Sequence, residues 1–237
     1  MQTILIMSGK GGVGKTTVSI GIARSLSKKY NVGIYDADLM CPNGPRLLGM
    51  DEHSRIGTGI DGGMFYPIEY EGLKVFSTGF MLPQDAVMTL EGDRRSLLLK
   101  DISSRLDWGD IDYLIVDLPP GTGDENLAVI ESMPNIEGVV LVVTGKHESL
   151  DDAGRVLAML HDIPQDIPVI GIVRNMAYVC CPKCEDKINL FEDNVNIEDE
   201  LDHTVIGTLP YKNLTREDFD EIADQIDVFC SDAAEGV

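Results

Sequence analysis

Gly9-Lys10-Gly11-Gly12-Val13-Gly14-Lys15-Thr16 satisfies the phosphate-loop pattern G-x-x-x-x-G-K-[ST]. It follows a predicted strand, residues 3–7, and precedes a predicted helix, residues 15–29, which is the expected context of the pattern. Its glycines allow successive N–H groups to point at phosphate oxygens, and the positive end of the helix adds attraction. The stretch predicts a nucleotide site in which Lys15 neutralises the β- and γ-phosphates and Thr16 ligates Mg²⁺. A glycine-rich turn that only joins strand to helix is the alternative, which the agreement of motif and context disfavours.

The rest of the chain repeats this order of strand and helix. Short β-branched runs alternate with segments of helical period, and most runs lack the polar alternation of a half-exposed strand. This rhythm predicts an α/β fold, with a doubly wound, mostly parallel sheet and helices on both faces, in a single domain over residues 1–237. The predicted strands are 3–7, 32–35, 73–77, 113–116, 139–143, 169–173 and 205–209, and the predicted helices are 15–29, 94–106, 125–133, 150–161 and 215–230.

Composition limits the size and the partners of the protein. The 237 residues are 43% hydrophobic, which suits one domain with an adequate core. Asp and Glu number 40 against 19 Lys and Arg, and the resulting net charge of −21 repels nucleic-acid backbones and anionic lipid surfaces. No uncharged run approaches the roughly 18 residues of a membrane-spanning helix, and the N-terminus lacks the features of a secretory signal. We therefore expect a cytoplasmic protein that binds neither nucleic acid nor membrane.

Acidic residues follow two of the predicted strands. Asp36 and Asp38 come at the end of the second strand, where alternation would place both carboxylates on one side. Asp117 follows the fourth strand, in the position of a Walker B aspartate, and Gly121 lies in the next turn with its N–H available for a γ-phosphate. Carboxylates beside phosphates need a cation, so we predict Mg²⁺ bound by Asp117 and, through water, by Asp36, with Asp38 orienting or deprotonating the attacking water. A turn or helix-cap role for Asp-x-Asp is the alternative.

A pair of cysteines lies in the second of two long stretches without a regular period, residues 40–72 and 177–196. Long loops of such folds lie at strand ends, where ligands bind. The segment Cys181-Pro182-Lys183-Cys184 lets two thiolates hold one metal centre, whereas a tetrahedral zinc or a [4Fe–4S] cluster takes four ligands. Two copies of the motif in a face-to-face dimer would complete the set, while a redox disulfide and a zinc knuckle are alternatives. The chain holds no second C-x-x-C, and its remaining cysteines are Cys41, Cys180 and Cys230.

Several segments occur in the order that is typical of one known family. They are GKGGVGKTT at 9–17, DADL at 36–39, PRLLG at 45–49, WGDIDYLIVDLPPGTGD at 108–124, and NMAY at 175–178 followed by the C-x-x-C. The first has the deviant phosphate-loop form of the group that contains MinD, ParA and the nitrogenase iron protein. Together the segments resemble the Mrp/ApbC family, which includes the Nbp-type scaffolds, and the resemblance extends over residues 1–210.

The resemblance implies a function for the whole chain. Members of the family are ATP-dependent carriers that assemble an iron–sulfur cluster, commonly [4Fe–4S], between two subunits and pass it to apo iron–sulfur proteins. The resemblance therefore implies that Cys181 and Cys184 bind such a cluster rather than zinc, in a homodimer with slow ATP hydrolysis. It further implies that Lys10 reaches across the dimer to the partner's phosphates, comparable in role to an arginine finger.

The resemblance also assigns the nucleotide contacts. Asn175, whose amide offers a donor and an acceptor, would read the adenine, whereas its position alone is equally consistent with a turn residue at a strand end. The implied catalytic residues are Lys10, Lys15 and Asp38. The implied cofactor-binding residues are Gly9, Lys10, Gly11, Gly12, Val13, Gly14, Lys15, Thr16, Thr17, Gly121, Asn175 and Pro210.

Departures from the family pattern leave other functions open. Cys41 stands in the first switch region, where the family commonly has glycine, either as a chance small residue or as a thiol near the nucleotide or cluster. The competing function is a positioning ATPase of the MinD or ParA type with a structural zinc site. Its membrane or DNA contacts need basic surfaces, which the net charge of −21 and the acidic segment at 215–221 disfavour.

Overall fold

The described strands of this protein form one large sheet and one separate two-stranded sheet. The computed structural model describes residues 1–50, 60–61, 63–81, 92–191 and 196–235, and sequence features at other positions lie outside the described residues. Within these residues the strands are β1 (Gln2–Met7), β2 (Val32–Asp36), β3 (Ile60–Asp61), β4 (Met64–Phe65), β5 (Ile68–Tyr70), β6 (Leu73–Ser77), β7 (Tyr113–Asp117), β8 (Ile136–Val143), β9 (Val169–Cys180), β10 (Lys187–Asn189) and β11 (Val205–Pro210). The large sheet has the order β10-β9-β8-β1-β7-β2-β6-β5, with β11 paired to β9, while β3 and β4 pair separately.

Helices cover both faces of the large sheet. They are α1 (Lys15–Leu26), α2 (Gly44–Leu48), α3 (Gly92–Ser104), α4 (Asp124–Ile130), α5 (His147–Asp162), α6 (Ile197–Leu201) and α7 (Asp220–Glu235). Successive residues of β1 point to opposite faces, so Ile4 and Ile6 join a core that includes residues of α1, α2 and α7. Leu5 and Met7 join a second core that includes residues of α3, α4, α5 and α6.

The pairing of the strands confirms the predicted fold class. The pairs β1–β7, β1–β8, β2–β7, β2–β6, β8–β9 and β9–β11 are all parallel. Antiparallel pairing within this sheet is confined to β5 with β6 and β10 with β9. The chain therefore forms a doubly wound, mostly parallel sheet, in which the carboxyl ends of β1, β2 and β7 meet at one edge.

Several predicted boundaries were wrong. The strand expected at 169–173 runs on to Cys180, because β10 pairs with residues 178–180 and extends the ladder. The helix expected at 215–230 begins at Asp220, after a 3₁₀ turn at Glu217–Phe219. The stretch at 40–72 is not wholly irregular, since its described part contains α2 and three short strands.

None of the described helices combines the length and the apolar character that a membrane crossing requires. This finding covers the helices of the described ranges alone.

Candidate functional site

The phosphate loop joins β1 to α1 through a backbone that only glycine fits at two points. Gly14 precedes α1 with φ of 84°, in the left-handed region, and a Cβ there would collide with the amide of Asn175. A Cβ at Gly9 would collide with the main chain of Asp152 in α5. Residues of α5 and β9 thus pack against the two ends of the loop, and this packing fixes the loop conformation.

Asp117, at the end of β7, accepts hydrogen bonds from several side chains of α1. It is fully buried, and Lys15 Nζ lies 2.7 Å from its Oδ1. Thr16 Oγ1 donates to Asp117 Oδ2 at 2.6 Å, and Ser19 Oγ donates to Oδ1 at 2.8 Å. The two side chains predicted to serve phosphate and Mg²⁺ are therefore held by the predicted Walker B aspartate. Sequence reasoning missed Ser19, although it lies one helical turn after Lys15 on the same face of α1.

Asp36 is buried beside Asp117. The two residues are opposite each other in the parallel register of β2 and β7. Gly44 N donates to Asp36 Oδ2 at 2.8 Å, and Ser77 Oγ donates to the same oxygen at 2.9 Å. Burial, and then the neighbouring charge of Asp117, raise the pKa of Asp36 to about 7. Two adjacent buried carboxylates with hydroxyl neighbours form a set of oxygen donors that suits Mg²⁺. The role of Ser77 was not predicted, because the contact joins distant segments.

Asp38 does not share the surroundings of Asp36, contrary to the expectation from strand alternation. β2 ends at Asp36, and Asp38 accepts hydrogen bonds of 3.0 Å from the N–H groups of Met40 and Cys41. It therefore caps a turn, and it lines a cavity of about 650 Å³ together with the phosphate loop and Cys41. The volume of the cavity suits a nucleotide phosphate chain, and a role for Asp38 toward the attacking water stays a prediction.

The backbone N–H of Gly121 is occupied in this structure. It donates to Ser8 O at 2.8 Å, and the Gly121 carbonyl accepts from Asn126 Nδ2 at 2.6 Å. This arrangement differs from the expected free N–H, because the turn after β7 docks on the residue that precedes the phosphate loop. A contact with a γ-phosphate stays a prediction, and it requires the bond to Ser8 to open.

Asn175 and Pro210 are both buried, and Asn175 lies inside a strand rather than at its end. Asn175 is inside β9 and buried, with Nδ2 donating to Val13 O at 2.8 Å and Oδ1 accepting from Met176 N at 2.9 Å. The amide thus supports the loop, and adenine recognition stays a prediction. Pro210 is buried at the end of β11, while Tyr211 lines a cavity with Gly11 and Gly12.

The C-x-x-C forms the turn between β9 and β10, which we call the cysteine hairpin (residues 178–189). Cys181 N donates to Asp186 O, and Glu185 N donates to Cys181 O, both at 2.9 Å. The N–H groups of Lys183 and Cys184 lower the pKa of Cys181, and a hydrogen bond to Asp186 raises the pKa of the exposed Cys184. The surroundings of the two thiols therefore shift their pKa values in opposite directions.

The described part of this chain supplies no further ligands to the pair. It contains no group of three or more His, Cys, Asp or Glu residues placed to hold a metal ion. Cys180 lies on the strand opposite Lys187, Cys41 lines the cavity beside the phosphate loop, and Cys230 is buried in the core. Metal or cluster binding by the pair therefore stays a prediction, and within the described ranges one chain offers two thiols for it.

The doubly wound sheet and the phosphate loop at the end of β1 define a P-loop NTPase. The ParA family model described as the NUBPL iron-transfer P-loop NTPase matches residues 1–234. The chain belongs to this family, so the resemblance drawn from its segments is confirmed.

Named relatives and solved structures are similar to the chain over most of its length. The iron-sulfur cluster carrier protein of Methanocaldococcus jannaschii is 35% identical over 222 residues, covering 92% of this chain and 75% of that protein. The protein of the same name from Methanococcus maripaludis is 37% identical, covering 79% of this chain and 64% of that protein. The nucleotide-binding protein of Archaeoglobus fulgidus, solved with ADP, is 29% identical with a TM-score of 0.71, covering 96% of this chain and 91% of that chain. The chain thus spans about two thirds to three quarters of these two curated relatives.

Proposed function

We propose that this chain is an ATP-binding and ATP-hydrolysing carrier that holds a [4Fe–4S] cluster between two subunits and transfers it to apoproteins. The observation that carries the proposal is a two-thiol hairpin whose following residues, Leu190 and Phe191, line a cavity with Gly11 and Gly12 of the phosphate loop. The relatives of the chain are named iron-sulfur cluster carriers. The Trichoplax adhaerens relative, 41% identical over 196 residues, is named a cytosolic Fe-S cluster assembly factor, and we propose the cytosol for this chain also.

The nucleotide part of the proposal assigns a role to each side chain of the site. The loop from Gly9 to Thr17 binds the phosphates, with Lys15 as their principal counter-charge. Thr16, Asp36 and Asp117 are the residues that would hold Mg²⁺, which supplies charge neutralisation at the β- and γ-phosphates. Asp38 orients the attacking water from its place in the cavity wall. The buried Lys15–Asp117 pair supports this assignment, because it already places the lysine beneath the loop.

The cluster part of the proposal requires a second copy of the chain. Each cysteine hairpin supplies two thiolates, and the cluster, which is the cargo, takes four. A two-fold axis between two hairpins brings the same pair from each subunit and completes the set. Anaerobic reconstitution with iron and sulfide, followed by visible absorbance and transfer to an apoprotein that requires [4Fe–4S], tests the proposal. Absence of cluster in the reconstituted dimer would refute it.

We predict that Lys10 acts on the partner's nucleotide. Lys10 is exposed and lines the phosphate-loop cavity, where Lys15 already serves the subunit's own phosphates. Lys10→Ala and Asp38→Asn subunits, each inactive alone, are expected to recover about one quarter of wild-type hydrolysis when mixed and allowed to exchange, since half the dimers then carry one intact site. Phosphate release measures this recovery.

The control for that mixture is Lys15→Ala with Asp38→Asn. Both of these residues act within one subunit, so this second mixture is expected to stay inactive. If the first mixture also stays inactive while mass spectrometry shows that mixed dimers form, Lys10 does not act across the interface.

We predict that Mg·ADP binding releases a proton from Asp36 below pH 8. The pKa of Asp36, about 7 without ligand, falls when a divalent cation sits beside the carboxylate. Apparent affinity therefore rises with pH up to about 8. Calorimetry at pH 6.5 in two buffers of different protonation enthalpy measures the number of protons released. The variant Asp36→Asn is expected to release fewer protons, because the contribution of Asp36 is lost. Equal proton release by wild type and Asp36→Asn would contradict the prediction.

A further inference from the structure

Lys146 is a lysine near the phosphate loop, in addition to Lys10 and Lys15 of the loop itself. It is exposed, follows β8 and directly precedes α5. It lines two cavities, of about 540 and 410 Å³, and Lys10 lines both of them as well. The smaller cavity is also walled by Gly11 and Gly12 of the phosphate loop. Lys146 does not line the cavity of about 650 Å³ beside Asp38, but Lys10, Gly11 and Gly12 line both that cavity and the smaller one. The cavity that Lys146 lines therefore adjoins the proposed phosphate site at the phosphate loop.

No carboxylate in the described ranges forms an ion pair with Lys146 or Lys10. Glu148 lines the larger cavity, yet it pairs with neither lysine. The lack of an acidic partner for either lysine is unexpected in a chain with a net charge of −21, where 40 Asp and Glu residues face 19 Lys and Arg residues. Two unpaired ammonium groups around one space repel each other and attract an anion.

Lys146 also contacts the segment that continues the cysteine hairpin. Its Nζ lies 5.8 Å from the centroid of the Phe191 ring, a cation–π contact. Phe191 packs on Gly145, where a Cβ would stand only 3.0 Å from the Phe191 side chain. Leu190 N donates to Ala177 O at 2.9 Å, which ties this segment to β9. The β9–β10 ladder pairs residues 187–189 with 178–180, so it lies between Cys181, one residue beyond Cys180, and Phe191, two residues beyond Asn189.

A bound phosphate would compete with the Phe191 ring for the ammonium group of Lys146. An exposed cation–π contact is weaker than a charge-assisted hydrogen bond to phosphate, which is shorter and more directional. Phosphate in the site therefore attracts Lys146 away from the ring of Phe191. Loss of that contact removes one of the restraints on the end of the cysteine hairpin.

We propose that Lys146 couples the nucleotide site to the cysteine hairpin, by contacting phosphate oxygens when nucleotide is bound and the Phe191 ring when it is absent. This coupling rests on the proposed nucleotide-binding function. Nucleotide binding would then change the mobility of the C-x-x-C turn. This effect does not require a bound cluster.

The test measures iodoacetamide alkylation of Cys181 and Cys184, resolved by peptide mass spectrometry, with and without saturating Mg·ADP. In wild type, Mg·ADP is expected to speed alkylation about twofold or more, because the hairpin loosens. Lys146→Gln is expected to bind Mg·ADP about fivefold more weakly and to lose the response at saturation. Lys187→Gln is the matched control, since Lys187 lies 4.5 Å from the Tyr178 ring centroid on the same hairpin but lines neither cavity. It is expected to behave as wild type.

Every other result decides against the coupling. It is overturned if Lys146→Gln keeps either wild-type affinity or the wild-type alkylation response, or if wild type binds Mg·ADP without a change in alkylation. Loss of the response in Lys187→Gln as well would also overturn it, because the effect would then not be specific to Lys146. Failure of wild type to bind Mg·ADP at all would instead refute the proposed function, so the two failures are distinguishable.

Discussion

Lys15→Ala is expected to abolish ATP hydrolysis and to weaken Mg·ATP binding about 100-fold, the effect of losing a strong charge-assisted phosphate contact. Lys15 is buried, and its ammonium lies 2.7 Å from Asp117 beneath the phosphate loop. Without it, the phosphates face two buried carboxylates, Asp36 and Asp117, with one less positive charge to offset them. Phosphate release and isothermal calorimetry measure the two effects.

The fold of this variant needs its own control. Removing Lys15 leaves the Asp117 charge buried, which costs about 3–5 kcal/mol in typical cases. The double variant Lys15→Ala/Asp117→Asn removes both charges and is expected to recover much of that stability without recovering hydrolysis. Lys29→Ala, which breaks an exposed ion pair with Asp224, is expected to change neither property appreciably. Wild-type hydrolysis by a folded Lys15→Ala protein would show that Lys15 is not part of the site.

The fold and the phosphate loop could be predicted because their signals are local. Buried parallel strands are recognised as apolar runs, which β1 shows over residues 4–7 and β7 over residues 113–116. The loop requires glycine, lysine and threonine at fixed spacing, so its position follows from a few adjacent residues. Asp117 was placed correctly at the end of β7 for the same reason, since a single polar residue terminates an apolar strand.

The remainder of the site depends on contacts between distant segments. Ser77 reaches Asp36 from the neighbouring strand β6, and no local pattern marks it as a partner. The end of β9 was misjudged because its continuation is stabilised by β10, which itself is too short and too exposed to be recognised as a strand. Asn175 therefore lies inside a strand, and its amide supports the loop through Val13. These features depend on pairing between distant strands, which the hydrophobic periodicity of a single segment cannot predict.

Cys181→Ala and Cys184→Ala are each expected to lose the cluster, the largest effect predicted for this protein. The hairpin turn presents these two thiols together, and the described residues supply no third ligand beside them. A [4Fe–4S] cluster with four cysteine ligands at a two-fold axis loses two ligands when one position is changed, because both subunits carry the substitution. Iron and sulfide per dimer after anaerobic reconstitution measure the loss.

Three other cysteines provide matched controls for this result. Cys180→Ala changes the last residue of β9, directly before the C-x-x-C turn. Cys41→Ala changes the thiol at the nucleotide cavity, and Cys230→Ala changes a thiol in the core. All three are expected to keep a full cluster. Cys181→Ala is expected to keep nucleotide binding, because Cys181 does not line the cavity at the phosphate loop. A full complement of iron in the Cys181→Ala/Cys184→Ala double variant would overturn the carrier proposal. Stoichiometric zinc without iron in protein from its native host would do the same, because a positioning ATPase with a structural zinc site would then explain the two thiols.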